Sequence, residues 1–82
     1  MRVKIFVSLK NGVLDPQGKA IEQSLHTLGY GEVQGVRVGK FLEFSIDAPS
    51  PAAAETQIRE MCDKLLANPV IEDYRFEISN ED

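Results

Sequence analysis

Independent chemistry needs a nucleophile, a base or a metal-binding cluster, and residues of those types are scarce in this chain. It contains one cysteine and one histidine. Cys62 shares a helical face with Ile58, Met61 and Leu65, and so reads as a small core hydrophobe, not a nucleophile. His26 lies beside the stripe Ile21, Leu25 and Leu28 and reads as a half-exposed surface residue. With no second His or Cys partner, it excludes a zinc site of Cys and His ligands and gives no basis for a Ser-His-Asp set. The run Val33-Gln34-Gly35-Val36-Arg37 is the most tempting chemical candidate. Phosphate loops work between a strand and a helix, however, and this run leads into further extended sequence. It therefore reads as a glycine-containing entry to a strand. Glu72, Asp73, Glu77, Glu81 and Asp82 make the C-terminal segment acidic; a solvated face is the simpler reading, partner docking the other.

The same run resembles the signature of acylphosphatases, small α/β enzymes of similar length and strand-helix order. There the motif cradles phosphate between the first strand and the first helix, with an asparagine positioning water. Here it precedes a second strand, so an acylphosphatase-like hydrolase stands as the catalytic alternative. An amino-acid-sensing regulatory α+β module is the other alternative, although no distinctive ligand loop is visible.

The elements that must position any site can be read from periodicity. Val3, Ile5, Val7 and Leu9 alternate with Arg2, Lys4, Ser8 and Lys10, which predicts a half-buried strand. Phe6 breaks the polar parity, either by chance or because the second face is covered in an assembly. Asp15-Pro16 supplies a cap and a first helical residue, and Gly29 suits the left-handed position that closes a helix, which predicts a helix over 16–28. Val36, Val38, Leu42, Phe44 and Ile46 share one parity of an extended stretch from 33 to 47. Its length favours two strands joined near Gly39, with one bent strand as the alternative. Ser50-Pro51 begins a second helix with Ala54, Ile58, Met61, Cys62 and Leu65 on one face, and Asn68-Pro69 ends it. Tyr74, Phe76 and Ile78 alternate in a last strand, and Asn80-Glu81-Asp82 reads as a frayed tail. The expected order is β-α-β-β-α-β, an α+β two-layer sandwich with an antiparallel or mixed sheet and both helices on one face.

Size and charge bound the function. At 82 residues the chain is a single domain, 1–82, with a marginal core and no possible intrachain disulfide, so oligomerisation or a larger partner is the natural further support. A net charge of −4 argues against nucleic-acid binding, and no apolar run is long enough to span a bilayer. The N-terminal alternation of apolar and charged residues is a strand pattern, not a signal peptide, and a cytoplasmic protein is expected.

One segment carries more information than a fold requires. Leu9-Lys10-Asn11-Gly12-Val13-Leu14-Asp15-Pro16-Gln17-Gly18 places two apolar residues in a connection, and a glycine in the first helical turn, where it costs ~1 kcal/mol relative to alanine. A Leu-anchored loop with a weak helix start would account for it; close approach to another chain, with Gly18 leaving room, is the functional reading. This segment, with Ala20, Leu25 and Leu28-Gly29, resembles the hallmark of the PurS family. Val36-Arg37-Val38-Gly39-Lys40 and Glu43 are similar to that family's second hallmark, and the likeness spans nearly the whole chain. The resemblance implies a non-catalytic small subunit of phosphoribosylformylglycinamidine synthase in purine biosynthesis. It would bridge an ATP-dependent synthetase and a glutaminase, so that ammonia from glutamine reaches formylglycinamide ribonucleotide. This chain would bind no cofactor; ATP, magnesium and glutamine would belong to the partner subunits. The expected partner-facing residues are Lys10, Asn11, Gly12, Val13, Leu14, Asp15, Gly18, Arg37, Gly39 and Lys40. Phe6 and Phe41 are the expected contacts of a homodimer or homotetramer, formed by sheet extension or stacking.

Overall fold

The computed structural model describes residues 1–80; Glu81 and Asp82 of the expected frayed tail lie outside the described residues. Strand β1 (Arg2–Leu9) is central in a three-stranded antiparallel sheet of order β2-β1-β3, with β2 at Lys40–Ser45 and β3 at Glu72–Ser79. The α+β class and the antiparallel sheet are as the alternating sequence indicates. Register follows from parity: Val3 sits between Phe44 and Ile78, and Ile5 between Leu42 and Phe76, so one sheet face is continuously apolar. A slip by one residue would turn that face to water.

Helix α1 (Pro16–Thr27) starts on Asp15, whose side chain accepts the Gly18 N–H, with proline next in line. It ends in a Schellman closure: Gly29, at φ +104°, donates to the His26 carbonyl, and Tyr30 donates to that of Leu25. Helix α2 (Pro51–Met61) starts on Ser50, whose hydroxyl accepts the Ala53 N–H at 3.1 Å. It runs into a π turn over Cys62–Leu66, closed by Ala67 N–H to the Cys62 carbonyl. The π turn corrects one expectation. A continued α-helix would bury Leu65, but the wider turn leaves Leu65 80% exposed and brings Leu66 against the core instead.

The core is small. Val3, Ile5 and Val7 from β1 meet Ala54, Ile58, Cys62 and Ala67, with Phe44, Phe76 and Ile78 packed at the margin. Each large apolar side chain fully buried here contributes roughly 1.5–3 kcal/mol. No residue of α1 belongs to this cluster. Both apolar stripes were expected on the sheet; α2 meets it, whereas α1 leaves Ile21 and Leu28 exposed, at 44% and 72%. The molecule is accordingly elongated, 51 × 28 × 14 Å. Two strands joined near Gly39 were favoured for 33–47. The ladder takes only Lys40–Ser45; before it, the Val33 carbonyl and the Val36 N–H meet His26 and Glu22 of α1, and the Val38 N–H meets the cap residue Asp15.

Candidate functional site

The two sequence segments singled out above meet in space. Asp15, with its side chain 7% exposed, uses both carboxylate oxygens on backbone N–H groups: Oδ1 accepts from Gly18 and Oδ2 from Val38, each at 2.8 Å. Those two donors, Val38 foremost, hold its carboxyl below the ordinary carboxylate range; burial opposes them and the Arg37 charge assists. The Arg37 guanidinium lies 3.8 Å from Asp15 Oδ2 and donates through Nη2 to the Lys10 carbonyl at 3.3 Å. A Cβ at Gly18 would overlap the Val36 carbonyl oxygen, and a Cβ at Gly39 would overlap that of Val7. Both glycines therefore answer to close approaches inside this chain, which accounts for Gly18 without a second molecule.

From this knot the chain 33–38 runs back along α1. Glu22 Oε1 accepts the Val36 N–H at 3.1 Å, chiefly by which its carboxyl is held low, and His26 Nε2 lies 2.7 Å from the Val33 carbonyl. A carbonyl only accepts, so Nε2 carries the proton in that contact. Asp15, Gly18, Glu22 and His26 thus line one side of the helix, at spacings of three, four and four. The sequence reading gave His26 as a half-exposed surface residue and did not single out Glu22; their shared helical face with Asp15 was the available signal. The apolar stripe Ile21, Leu25 and Leu28 runs beside that row, with Leu25 half-buried and Ile21, Leu28 and the following Tyr30 exposed. Helix and lead together form an arm that leaves the sheet at Leu9 and rejoins it at Lys40.

The remaining candidates scatter. Lys10 pairs with Asp73 at 2.7 Å, and Lys40 reaches the Leu66 carbonyl at 3.3 Å and Glu72 at 3.8 Å, so each basic residue of this end has an acidic neighbour. Asn11, Gly12 and Leu14 are exposed and Val13 half-buried, with Leu14 at 79% and Gly12 at φ +85°. Phe6 and Phe41 are opposite one another on the sheet face away from α2, with ring centroids 5.1 Å apart. Arg75 lies 3.9 Å over the Phe6 ring, completing a row of three across the sheet.

The arrangement offers little to a reaction. Arg37 is committed to Asp15 and Lys10, not to a phosphate cradle, so the acylphosphatase-like geometry does not form. Cys62 is fully buried, and burial pushes its thiol upward, away from the thiolate form. Among the described residues no group of His, Cys, Asp or Glu side chains is placed to hold a metal ion, and no helix is long and apolar enough to cross a membrane.

Residues 2–80 match the family model for PurS: Phosphoribosylformylglycinamidine (FGAM) synthase. The chain is 53% identical over 77 residues to the phosphoribosylformylglycinamidine synthase subunit PurS of Bacillus subtilis (strain 168), covering 94% of this chain and 90% of that protein. A solved structure of Bacillus subtilis PurS matches with a TM-score of 0.86 at 52% identity, covering 95% of this chain and 96% of that one. A chain of the structure of PurLQS from Thermotoga maritima matches with a TM-score of 0.85 at 30% identity, covering 93% of each.

Proposed function

This chain belongs to the PurS family of phosphoribosylformylglycinamidine synthase, and on that premise we propose that it is the enzyme's small non-catalytic subunit in purine biosynthesis, acting as one domain in the cytoplasm. It bridges the ATP-dependent synthetase and the glutaminase, so that ammonia released from glutamine reaches formylglycinamide ribonucleotide without loss to water. ATP, magnesium and glutamine are used by those two subunits and not held by this chain. The assembly of a relative as PurLQS supports the reading. The observation that carries it is the surplus of surface over core: a fold with so small a core presents an uncovered α1 stripe and an aromatic step on its open sheet face.

In this reading the α1 stripe and the Phe6–Phe41 step are covered by further copies of the chain, in a homodimer or homotetramer. The turn 11–14 and the neighbouring Lys10 and Lys40 face the larger subunits. Arg37, Gly39, Asp15 and Gly18 serve that surface from within, by fixing the turn and the arm.

Reconstitution with the cognate synthetase and glutaminase tests the proposal. Glutamine-dependent amidine formation is expected to require this chain strictly, with ammonia-driven turnover by the synthetase depending on it much less. Equal glutamine-dependent rates with and without the chain, while both large subunits are active, would remove the bridging role.

A further inference from the structure

Only two crossings connect the arm to the sheet, residues 10–15 on the way out and 38–39 on the way back. Neither crossing is packed into the apolar core. What ties them together is one carboxylate. Asp15 Oδ1 caps α1 through the Gly18 N–H, and Oδ2 holds the returning chain through the Val38 N–H. Arg37 braces the same carboxylate and reaches across to the Lys10 carbonyl in the outgoing crossing. Gly39 allows the returning crossing to lie against the Val7 carbonyl, and Gly18 allows the lead to lie on the helix. These polar contacts hold the two crossings against each other, and with them the direction in which the arm leaves the sheet.

We propose that Asp15 is the positioning residue for assembly: by bonding Gly18 and Val38 at once, it holds the arm at the angle in which the α1 stripe of one copy fits another. The inference rests on the reading that this stripe is covered by a second copy in the working enzyme. It differs from an ordinary helix cap in its second bond. A cap needs only Oδ1, whereas the bond from Val38 spans 23 residues of chain and joins the two crossings. A turn presented to the large subunits and an arm presented to another copy are thereby fixed by one group.

The chemistry supplies a selective variant. In Asp15→Asn the amide oxygen still accepts from Gly18, but the NH₂ group confronts the Val38 N–H and the Arg37 guanidinium, donor against donor. The full-length wild type, Asp15→Asn and Arg37→Gln are compared by amide hydrogen exchange, sedimentation equilibrium and turnover in the reconstituted enzyme. In Asp15→Asn, exchange at Val36 and Val38 is expected to accelerate by about tenfold or more, with β1 amides still protected. The homo-oligomer dissociation constant rises by about tenfold or more. Glutamine-dependent turnover falls with it while ammonia-dependent turnover holds, and Arg37→Gln moves all three in the same direction by less. A variant cap that merely weakened the fold would accelerate exchange in the sheet and the arm alike, which would overturn the proposal. So would accelerated arm exchange with unchanged self-association, or unchanged exchange at Val38. A wild-type chain that is monomeric and without effect on turnover would instead sink the bridging reading, and with it this use of the arm; the exchange arm of the experiment would still report whether Asp15 orders the junction.

Discussion

At Gly18 two effects of opposite sign meet. Replacing a helical glycine by alanine ordinarily gains ~1 kcal/mol. Here the new Cβ would overlap the Val36 carbonyl oxygen and stand 2.9 Å from Asp15 Oδ2. The obstructing atom is backbone, held in place by Glu22 and Asp15 through the Val36 and Val38 N–H groups, so it yields poorly. Forcing atoms into such a contact costs about 1–3 kcal/mol. Gly18→Ala is therefore expected to be destabilising by roughly 1 kcal/mol net, and Gly39→Ala, with no helical gain to offset the Val7 overlap, by roughly 2 kcal/mol. Urea unfolding of both variants checks this; a stabilised Gly18→Ala would show that the lead 33–38 moves away freely. The sequence marked Gly18 as unusual from its place in a first turn. Its neighbour was beyond reach, since the Val36 carbonyl approaches from 18 positions away.

The second helix shows how an element can keep its boundaries and change its facing. Ser50, Pro51 and Asn68-Pro69 announce where it starts and stops, and the last strand is equally plain in the alternation from Glu72 to Ser79. The π turn at Cys62–Leu66 has no such marker, because i→i−5 bonding is selected by packing rather than by a residue type. It passes the apolar role from Leu65 to Leu66, and leaves the core position of Cys62 intact. Leu65→Gln should then change stability by no more than about 0.5 kcal/mol, while Leu66→Ala, removing a half-buried side chain from the core margin, should cost roughly 1–2 kcal/mol. Thermal unfolding of the pair, read at a protein concentration high enough to keep any oligomer intact, distinguishes the two registers. Equal losses would restore the regular helix.

At the scale of the molecule, the fold encloses too little apolar surface for the surface it leaves open. One sheet face is sealed by α2; the other carries Phe6, Phe41 and Arg75, and the arm carries Ile21, Leu28 and Tyr30 outward. Self-association that covers the arm stabilises the folded chain by mass action, so the unfolding midpoint of the wild type should rise with protein concentration. In Ile21→Glu or Leu28→Glu that dependence should flatten, with helix content at low concentration little changed, since neither residue belongs to the core. Calorimetry across a hundredfold concentration range reads this directly. A midpoint independent of concentration in the wild type would leave the arm without its proposed cover.

The sequence by itself determined the local grammar: which stretches alternate, where Asp15 and Ser50 cap, where Gly29 closes a helix, and that Cys62 belongs to an apolar helical face. Those properties depend on neighbours a few positions apart, and the family likeness rests on contiguous residues for the same reason. Tertiary structure alone decided that Asp15–Gly18 and Arg37–Gly39 form one junction, that residues 33–38 bond to α1 rather than to a strand, and that α1 stands away from the core. Each depends on bonds between groups distant in the chain, such as Asp15 with Val38 and Arg37 with Lys10. Parity and helical spacing report which face of an element is apolar; they do not report which surface, in this chain or another, will cover it.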